Sequence, residues 1–193
     1  MTMRVLVACE FSGTVRQAFA ARGHYAVSCD ILATEVAGYH EQRDVREILD
    51  WGWDLMIAHP PCTDLAVSGS RWFKDKIVEQ ELALDFVRTL MDAPIRKICI
   101  ENPISVISSK IRLPDQVIQP WEFDHPEVKA TCFWLKGLRP LIPTHKEGGD
   151  MFTPAAPEGR EARVHRMPPS PNRWRERSRT FKNIAIAMAE QWG

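Results

Sequence analysis

The sequence has no apolar run near the roughly 18 residues that a membrane-spanning helix requires, so a transmembrane protein is not expected. Residues 1–4 lead directly into an apolar segment and lack the architecture of a signal peptide, which favours a cytoplasmic location. The chain has 193 residues, of which 45% are hydrophobic and 26% are charged. This length and composition predict one domain with a buried core.

Closely spaced cysteine pairs are also lacking, because no two cysteines form a C-x-x-C motif. Four of the five lie within or at the ends of apolar runs, which predicts reduced thiols and argues against a disulfide framework or a zinc site. No metal is therefore expected. The five positions are Cys9, Cys29, Cys62, Cys99 and Cys132.

Glycine is scarce in the first turn, residues 8–13, which follows the predicted strand Arg4 to Ala8. The turn contains a single glycine, Gly13, so the G-x-G-x-x-G fingerprint of dinucleotide-binding domains is absent. The spacing of apolar residues predicts a helix from Thr14 to Arg22, ended by Gly23. The chain therefore begins as strand, turn and helix.

Two short apolar runs, Leu55 to Ala58 and Lys97 to Ile100, are each followed by a polar segment that contains proline. Unbroken apolar runs are typical of strands buried on both faces, and proline ends them because it cannot donate to a strand ladder. If a helix joins the two strands in one parallel sheet, right-handed crossover places their carboxyl ends side by side.

Cys62 and Glu101 would then face one crevice at the edge of the sheet where α/β proteins bind ligands. A thiol nucleophile beside a carboxyl group that handles a proton can add to an electron-poor ring and polarise it. The alternative interpretation is structural, in which Pro60, Pro61 and Cys62 form a tight turn with a half-buried cysteine.

Two acids follow the first helix at positions that suit a nucleotide-like cofactor. Asp30 ends the predicted strand Ala26 to Cys29, 17 residues after Gly13, near the offset at which doubly wound domains bind ribose hydroxyls. The alternative is that Asp30 caps a turn. Asp44 precedes a short amphipathic segment and could equally be a helix N-cap.

The net charge of the chain is zero, but the segment from Arg160 to Lys182 carries seven arginines and one lysine against two glutamates, a net charge of +6. Such a segment is typical of a phosphate-binding surface. It could equally be a solvated tail.

The sequence predicts a core in residues 1–142, a loop or disordered segment rich in proline and glycine in 143–172, and a helix in 173–193 that completes the core. We expect this last helix to return to the first strand. Further predictions are a strand from Thr131 to Leu135 and one extended piece from Val117 to Phe123. A helix from about Ile77 to Met91 is expected to pack in the core through Leu82, Phe86, Val87, Leu90 and Met91.

The motifs His59-Pro60-Pro61-Cys62 and Glu101-Asn102-Pro103 resemble, in order and separation, those of the cytosine-5 DNA methyltransferase family. Residues 8–13 look like that family's first cofactor turn, and Phe181-Lys182-Asn183-Ile184-Ala185 is similar to its closing motif. The resemblance covers most of residues 4–135 and 173–193. It implies a single α/β domain with a doubly wound, Rossmann-like methyltransferase sheet, S-adenosyl-L-methionine as cofactor and DNA as partner.

By this resemblance Cys62 adds to carbon 6 of cytosine, Glu101 hydrogen-bonds the ring nitrogen and amino group, and carbon 5 takes the methyl group. The implied cofactor-binding residues are Phe11, Ser12, Gly13, Asp30, Ile31, Asp44, Val45, Pro60 and Asn183. The candidate substrate-binding residues, including the arginines of the basic segment, are Asn102, Ser68, Arg71, Lys129, Thr131, Arg173, Arg175 and Arg177.

The sequence departs from the family in the segment where a target-recognition domain is normally inserted, since residues 143–172 are too few to form one. Little sequence specificity is therefore expected. Two other functions stay open: a carbon-5 methyltransferase for free pyrimidine nucleotides, and a catalytically idle nucleic-acid-binding module. Cytosine and uracil are not distinguished by Glu101, because a carboxyl group pairs with either ring edge depending on its protonation.

Overall fold

In the computed structural model, residues 1–67, 76–144, 167–168, 170 and 173–193 are described, and they form one seven-stranded sheet. The strands are β1 (Arg4–Ala8), β2 (Tyr25–Asp30), β3 (His40–Gln42), β4 (Leu55–Ala58), β5 (Lys97–Pro103), β6 (Gln116–Ile118) and β7 (Thr131–Lys136). Their order across the sheet is β3-β2-β1-β4-β5-β7-β6. Strands β1 to β5 are parallel, and β7 is antiparallel to both of its neighbours.

The centre of the sheet consists of β1 and β4, whose apolar residues from Val5 to Ala8 and from Leu55 to Ala58 are completely buried. Both strands are covered on both faces, since Val5 and Val7 pack in one apolar layer while Leu6 and Ala8 pack in the other. This confirms the strand prediction made from the unbroken apolar runs.

Helices cover both faces of the sheet. They are α1 (Thr14–Ala21), α2 (Ile77–Met91), α3 (Ile107–Lys110), α4 (Arg173–Ser178) and α5 (Lys182–Trp192). Helices α1 and α5 lie on the face of Val5 and Val7, whereas α2, α3 and a 3-10 turn at Val45–Ile48 lie on the other. The doubly wound fold class is confirmed. The terminal helix, expected to return to the first strand, packs against α1 in the apolar layer that also contains Val5 and Val7 of β1.

The boundaries of two predicted elements are corrected. Strand β5 extends through Pro103, because β7 pairs with it as far as Pro103 and Thr131, so Glu101 lies within the strand rather than after it. The extended piece predicted from Val117 to Phe123 is wrong. Strand β6 stops at Ile118, and Pro120–Phe123 forms a 3-10 turn whose start is fixed by a capping box of Gln119 and Glu122.

Helix α2 has the predicted bounds, and four of its five predicted core residues, Phe86, Val87, Leu90 and Met91, pack in the apolar layer. Leu82 is 65% exposed, whereas Leu84, Val87 and Leu90 are completely buried. Leu82 therefore does not pack in the core as predicted. Leu82 and Leu84 both stand at helical spacing from the apolar residues that follow them. The sequence alone therefore does not determine which of the two faces the sheet.

None of the helices within the described ranges is both long and apolar enough to cross a membrane. The same residues contain no group of three or more His, Cys, Asp or Glu side chains that could hold a metal ion. All five cysteines are unpaired. The segment predicted to be a loop, 143–172, lies almost wholly outside the described residues.

Candidate active site at the carboxyl edge of the sheet

The connections after β1 and β4 leave the sheet in opposite directions. From β1 the chain continues through α1 to β2 on one side, and from β4 it continues through α2 to β5 on the other. In doubly wound sheets, a crevice opens at the carboxyl edge between two such strands. The turns that flank this crevice are residues 9–13 and 59–62.

His59 and Glu101 form the best-defined polar contact at this edge. The register pairs Ala58 with Ile100, so the next residues on the two strands, His59 and Glu101, stand opposite each other. His59 Nδ1 lies 2.7 Å from Glu101 Oε2, and the two side chains are 9% and 14% exposed. The His59 amide also donates to the Ala8 carbonyl (2.9 Å), which fixes the backbone at the end of β4.

The two groups shift each other's pKa toward the charged forms, which favours an ion pair. Burial lowers the pKa of His59, but the hydrogen bond and charge of Glu101, with the charge of Glu10, outweigh burial and raise it above 6.5. Burial raises the pKa of Glu101, but His59 outweighs that effect and lowers it below 4.5. The pair therefore stabilises the fold fully between pH 4.5 and pH 6.5, the ordinary pKa values of the two groups. Its contribution is lost as pH falls through the lowered pKa of Glu101 or rises through the raised pKa of His59.

The double-proline turn delivers Cys62 to the surface of the crevice. Asn102 is 1% exposed and its side-chain amide donates to the Pro60 carbonyl (2.8 Å), so β5 holds the turn that follows β4. The Cys62 carbonyl then accepts hydrogen bonds from the amides of Leu65 and Ala66 at 3.1 and 2.9 Å. Its side chain is exposed, as a nucleophile that must meet a substrate requires.

The charges around Cys62 keep its thiol protonated in this state. Although the residue reaches solvent, nearby protein atoms partly desolvate the sulfur, and this desolvation and the negative charge of Glu101 raise the pKa of Cys62, while Lys129 and Arg177 oppose this rise without reversing it. The pKa of the thiol therefore depends on one carboxylate and two cations. Binding of a substrate that neutralises or displaces Glu101 would favour the thiolate.

Lys129, Thr131 and Arg177, which the sequence predicted to bind substrate, lie together beside this site, and their role in substrate binding stays a prediction. The Lys129 ammonium donates to the Arg177 carbonyl (2.9 Å) and lies 5.8 Å from the centre of the Phe181 ring. Thr131 is buried and donates its hydroxyl to the Lys129 carbonyl (3.1 Å). A small cavity lies between β5, β7 and the C-terminal segment, and its lining includes Glu101, Lys129, Thr131, Phe133, Arg179 and Phe181.

Helix α4, which holds most of the described arginines of the basic segment, packs on the first turn. Arg175 lies over the rings of Phe11 and Trp174 at 5.8 and 5.4 Å, and these two rings are 5.7 Å apart. Beyond the helix, Arg179 pairs with Glu35 at 2.6 Å. The side chains of Arg173, Arg175 and Arg177 are half-buried. The segment is thus partly structural, and its assignment to phosphate binding stays a prediction.

The first turn is organised by Glu10, which the sequence analysis did not single out. Glu10 is 4% exposed, and its carboxylate accepts from the amides of Val15 (2.6 Å) and Arg16 (3.2 Å) at the start of α1. Ser12 is buried and its hydroxyl lies 3.4 Å from the same carboxylate. Gly13 adopts φ +71°, and a Cβ there would overlap Val36 and lie 2.7 Å from the guanidinium of Arg16.

A second residue that sequence reasoning missed is Arg16, a 1% exposed arginine of α1. Its guanidinium donates to the Ser28 hydroxyl and to the carbonyls of Val36, Ala37 and Tyr39 at 2.9–3.1 Å. It thereby holds the loop between β2 and β3 against Gly13. Its signal in the sequence was weak, since an arginine within an amphipathic helix is normally a surface residue.

The acids beyond β2 satisfy backbone groups nearby. Asp30 Oδ1 accepts from the Leu32 amide (2.9 Å), and burial raises the pKa of Asp30, while the side chain of Ile31 is 73% exposed. Asp44 is the N-cap of the turn that contains buried Val45. Its carboxylate accepts from the amide and guanidinium of Arg46, whose hydrogen bonds lower the pKa of Asp44. The alternative cap roles are thus realised, and cofactor binding by these acids stays a prediction.

The remaining predicted site residues are placed as follows. The backbone amide of Asn183, in the first turn of α5, donates to His125 Nε2 (3.4 Å). The ring of His125 lies 5.0 Å from the ring of Phe181, the residue that precedes this helix. Ser68 and Arg71, predicted to contact the substrate, lie outside the described residues.

Comparison with known proteins identifies a shared fold. No protein-family model matches the chain, and no curated protein is similar to it. A solved structure from E. coli, provisionally described as a DNA modification methyltransferase encoded within prophage Cp, is similar with a TM-score of 0.51 at 17% sequence identity. The match covers 69% of this chain and 46% of that one, so the chain spans less than half of the length of that protein. The likeness shows that this chain has the fold of that methyltransferase.

Proposed function

We propose that this protein is an S-adenosyl-L-methionine-dependent methyltransferase that methylates carbon 5 of cytosine in DNA with little sequence specificity. The observation that carries the proposal is the meeting of Cys62 and Glu101 at the adjacent carboxyl ends of β4 and β5, where the charge of Glu101 acts on the thiol. The fold shared with a described DNA modification methyltransferase supports the same reaction class.

The residues at the ends of β1 and β2 fit an adenosine-containing cofactor. Asp30 presents a half-buried carboxylate, suited to a ribose diol, and the exposed side chain of Ile31 beside it offers an apolar surface to a base. Asp30 would hold the ribose hydroxyls, and Asp44 would contact the adenine amino group. The other cofactor-binding residues would be Phe11, Ser12, Gly13, Val45, Pro60 and Asn183. When bound, this cofactor supplies an electrophilic methyl group.

Cys62 begins the proposed reaction. Its thiol loses a proton to water, and the sulfur bonds to carbon 6 while the electron pair of the carbon 5–carbon 6 double bond shifts into the ring. Glu101 stabilises the resulting charge by hydrogen bonding at N3 and the amino group, which makes carbon 5 nucleophilic enough to take the methyl group. Carbon 5 then loses its proton to a base, the double bond re-forms and Cys62 leaves.

The cations beside Cys62 have two roles in this proposal. Lys129 and Arg177 lower the pKa of the thiol against the effect of Glu101, and so favour the thiolate. Arg173, Arg175 and Arg177 would also contact phosphates, which position a nucleic acid without reading its sequence. Asn102 and Thr131 would support the base, with Ser68 and Arg71 contributing from the loop that follows Cys62.

Incubation with methyl-labelled cofactor and, separately, duplex DNA, single-stranded DNA or dCMP tests this function. We expect label in DNA, recovered as 5-methylcytosine after digestion, and none with Cys62→Ala. Label only in dCMP would replace this proposal with a free-nucleotide enzyme. DNA binding without label in any substrate would favour an idle binding module.

The covalent step has its own test. In the presence of the methyl donor, a duplex carrying 5-fluorocytosine should form a complex with the protein that survives denaturation, because after methyl transfer the fluorine cannot leave carbon 5 as a proton does and the bond to Cys62 is not released. Peptide mapping should place the adduct on Cys62. A methylated product without any such adduct would contradict the covalent mechanism while leaving the methyltransferase assignment intact.

A further inference from the structure

The imidazole of His59 has one hydrogen-bonding partner among the described residues, the carboxylate of Glu101 at 2.7 Å. Its other nitrogen, Nε2, is buried and without a partner in that part of the chain. The histidine is thus dedicated to Glu101, and both groups stand at the ends of central strands whose register fixes them opposite each other.

The charge state of this pair poses a problem for the reaction. N3 of cytosine is a hydrogen-bond acceptor, and an ionised carboxylate also only accepts. Glu101 as it stands in the ion pair can therefore not give N3 the hydrogen bond or proton that the addition of Cys62 requires. Together, however, the two groups hold one proton that could serve N3.

We propose that His59 is a positioning residue which stores the proton that Glu101 passes to N3 of cytosine, an inference that rests on the proposed cytosine-5 function. As the sulfur of Cys62 bonds to carbon 6, the proton moves from His59 Nδ1 to Glu101 Oε2, and a proton moves from Glu101 to N3. The product is a neutral adduct beside a neutral imidazole and an ionised carboxylate. When Cys62 is expelled, N3 returns the proton through Glu101 to His59.

The surrounding charges suit a proton that moves between the two groups. Glu10 from the turn after β1 and Asp30 from the end of β2 interact with His59, and the Glu10 charge favours its protonated form. Lys129, which precedes β7, disfavours a proton on His59 and lowers the pKa of Glu101. Glu10 and Asp30 therefore interact with the imidazole, whereas Lys129 acts on both the imidazole of His59 and the carboxylate of Glu101.

His59→Asn tests the proposal, because the asparagine amide can still donate to Glu101 from near the Nδ1 position but cannot release a proton. We expect kcat for DNA methylation near pH 7.5 to fall by about 100-fold, the usual contribution of a positioned acid. KM for DNA should stay near the wild-type value. The rate should recover toward acidic pH, where Glu101 binds a proton of its own, so the alkaline limb of the pH profile moves to lower pH.

The matched control is His24→Asn, a histidine near the opposite edge of the sheet whose Nδ1 accepts from the Met3 amide. It should keep the wild-type pH profile. If His59→Asn retains wild-type activity, or loses activity equally at every pH, His59 only orients Glu101 and the proposal is wrong. If the wild-type protein makes no 5-methylcytosine, the proposed function fails first and this inference fails with it.

A measurement that needs no turnover covers the case in which His59→Asn does not fold. NMR titration of the wild-type protein should show that the assigned His59 ring loses its proton above pH 6.5, and that titration should shift to lower pH in Glu101→Gln. A His59 signal that titrates alike in both proteins would show that the two groups do not share a proton.

Discussion

The two ends of the crevice use their polar side chains differently. At the ends of β4 and β5, His59 and Glu101 pair with each other beside an exposed Cys62. At the other end, beyond β1, β2 and the neighbouring β3 (the β1–β2 end), Glu10 follows β1 and Asp44 follows β3, and both accept from backbone amides of the turns and helices that they cap. The first end is the one proposed to perform the reaction, whereas polar side chains at the second end stabilise the fold in addition to the cofactor binding proposed for them.

This difference implies that substitutions at the two ends should have separable effects. Loss of the exposed Cys62 thiol should change turnover with little effect on stability, whereas loss of His59 or Glu101 should also cost stability because it leaves the other buried group unpaired. Loss of a group at the β1–β2 end should change the free energy of unfolding together with cofactor affinity, since caps stabilise helices by about 0.5–2 kcal/mol each.

The largest expected effect is that of Cys62→Ala. Methyl transfer should fall below detection, because no other group of the site can form the bond to carbon 6, whereas cofactor affinity measured by calorimetry should be unchanged. The control is Cys132→Ala, which removes a buried thiol and should lower the free energy of unfolding by about 1 kcal/mol while turnover remains. Full activity in Cys62→Ala would exclude the covalent mechanism.

Gly13→Ala should have the next largest effect, at the β1–β2 end. The left-handed φ of +71° and the overlap with Val36 together predict a loss of about 2–4 kcal/mol in stability, with weaker cofactor binding. Gly23→Ala is the matched control, since Gly23 has φ +82° but nothing within 4 Å of the added Cβ. It should lose about 1 kcal/mol. Equal shifts of Tm in the two variants would show that the packing at Gly13 is unimportant.

Asp30 and Asp44 offer a sharper comparison within the same end. Asp30→Ala should weaken cofactor binding by about 1.5–3 kcal/mol, the usual cost of a lost charged hydrogen bond. Because burial raises the pKa of Asp30, stability falls as pH rises from the ordinary aspartate pKa through the raised one, so Asp30→Asn should raise Tm at neutral pH, where that loss is complete. Asp44→Ala should instead lower Tm through the lost cap. Calorimetry with unchanged cofactor affinity in Asp30→Ala would leave Asp30 a structural role only.

Much of the fold, and the placement of Cys62 and Glu101 at neighbouring strands, could be predicted because the signals are local. The unbroken apolar runs of β1 and β4 and the prolines after β4 determine where strands end, and the crossover rule then places Glu101 near Cys62. The pairing of His59 with Glu101 followed from the same register, but a histidine beside prolines carries no distinctive pattern. Arg16 and Leu82 could not be predicted, since the side of a helix that faces inward depends on tertiary packing.

The smallest expected effect per residue concerns the basic segment, which spans both ends of the crevice. Arg179 should be retained because its pair with Glu35 supports the fold, while Arg173, Arg175 and Arg177 are replaced together by glutamine. DNA affinity should fall about equally for all sequences, and the slope of log K against log salt should become shallower by about 0.9 for each lost phosphate contact on duplex DNA.

A surface arginine of α2, Arg88, provides the control for this change, since it pairs only with Asp85 among the ion pairs of the described residues. Arg88→Gln should leave the salt slope unaltered.

Sequence specificity is measured separately, by bisulfite sequencing of DNA from cells that express the protein. Phosphate contacts are blind to base identity, so methylation should show at most a very short context preference. Methylation confined to one motif of four or more base pairs would reveal a recognition element. The arginines would then contribute only affinity, and other residues would read the base sequence.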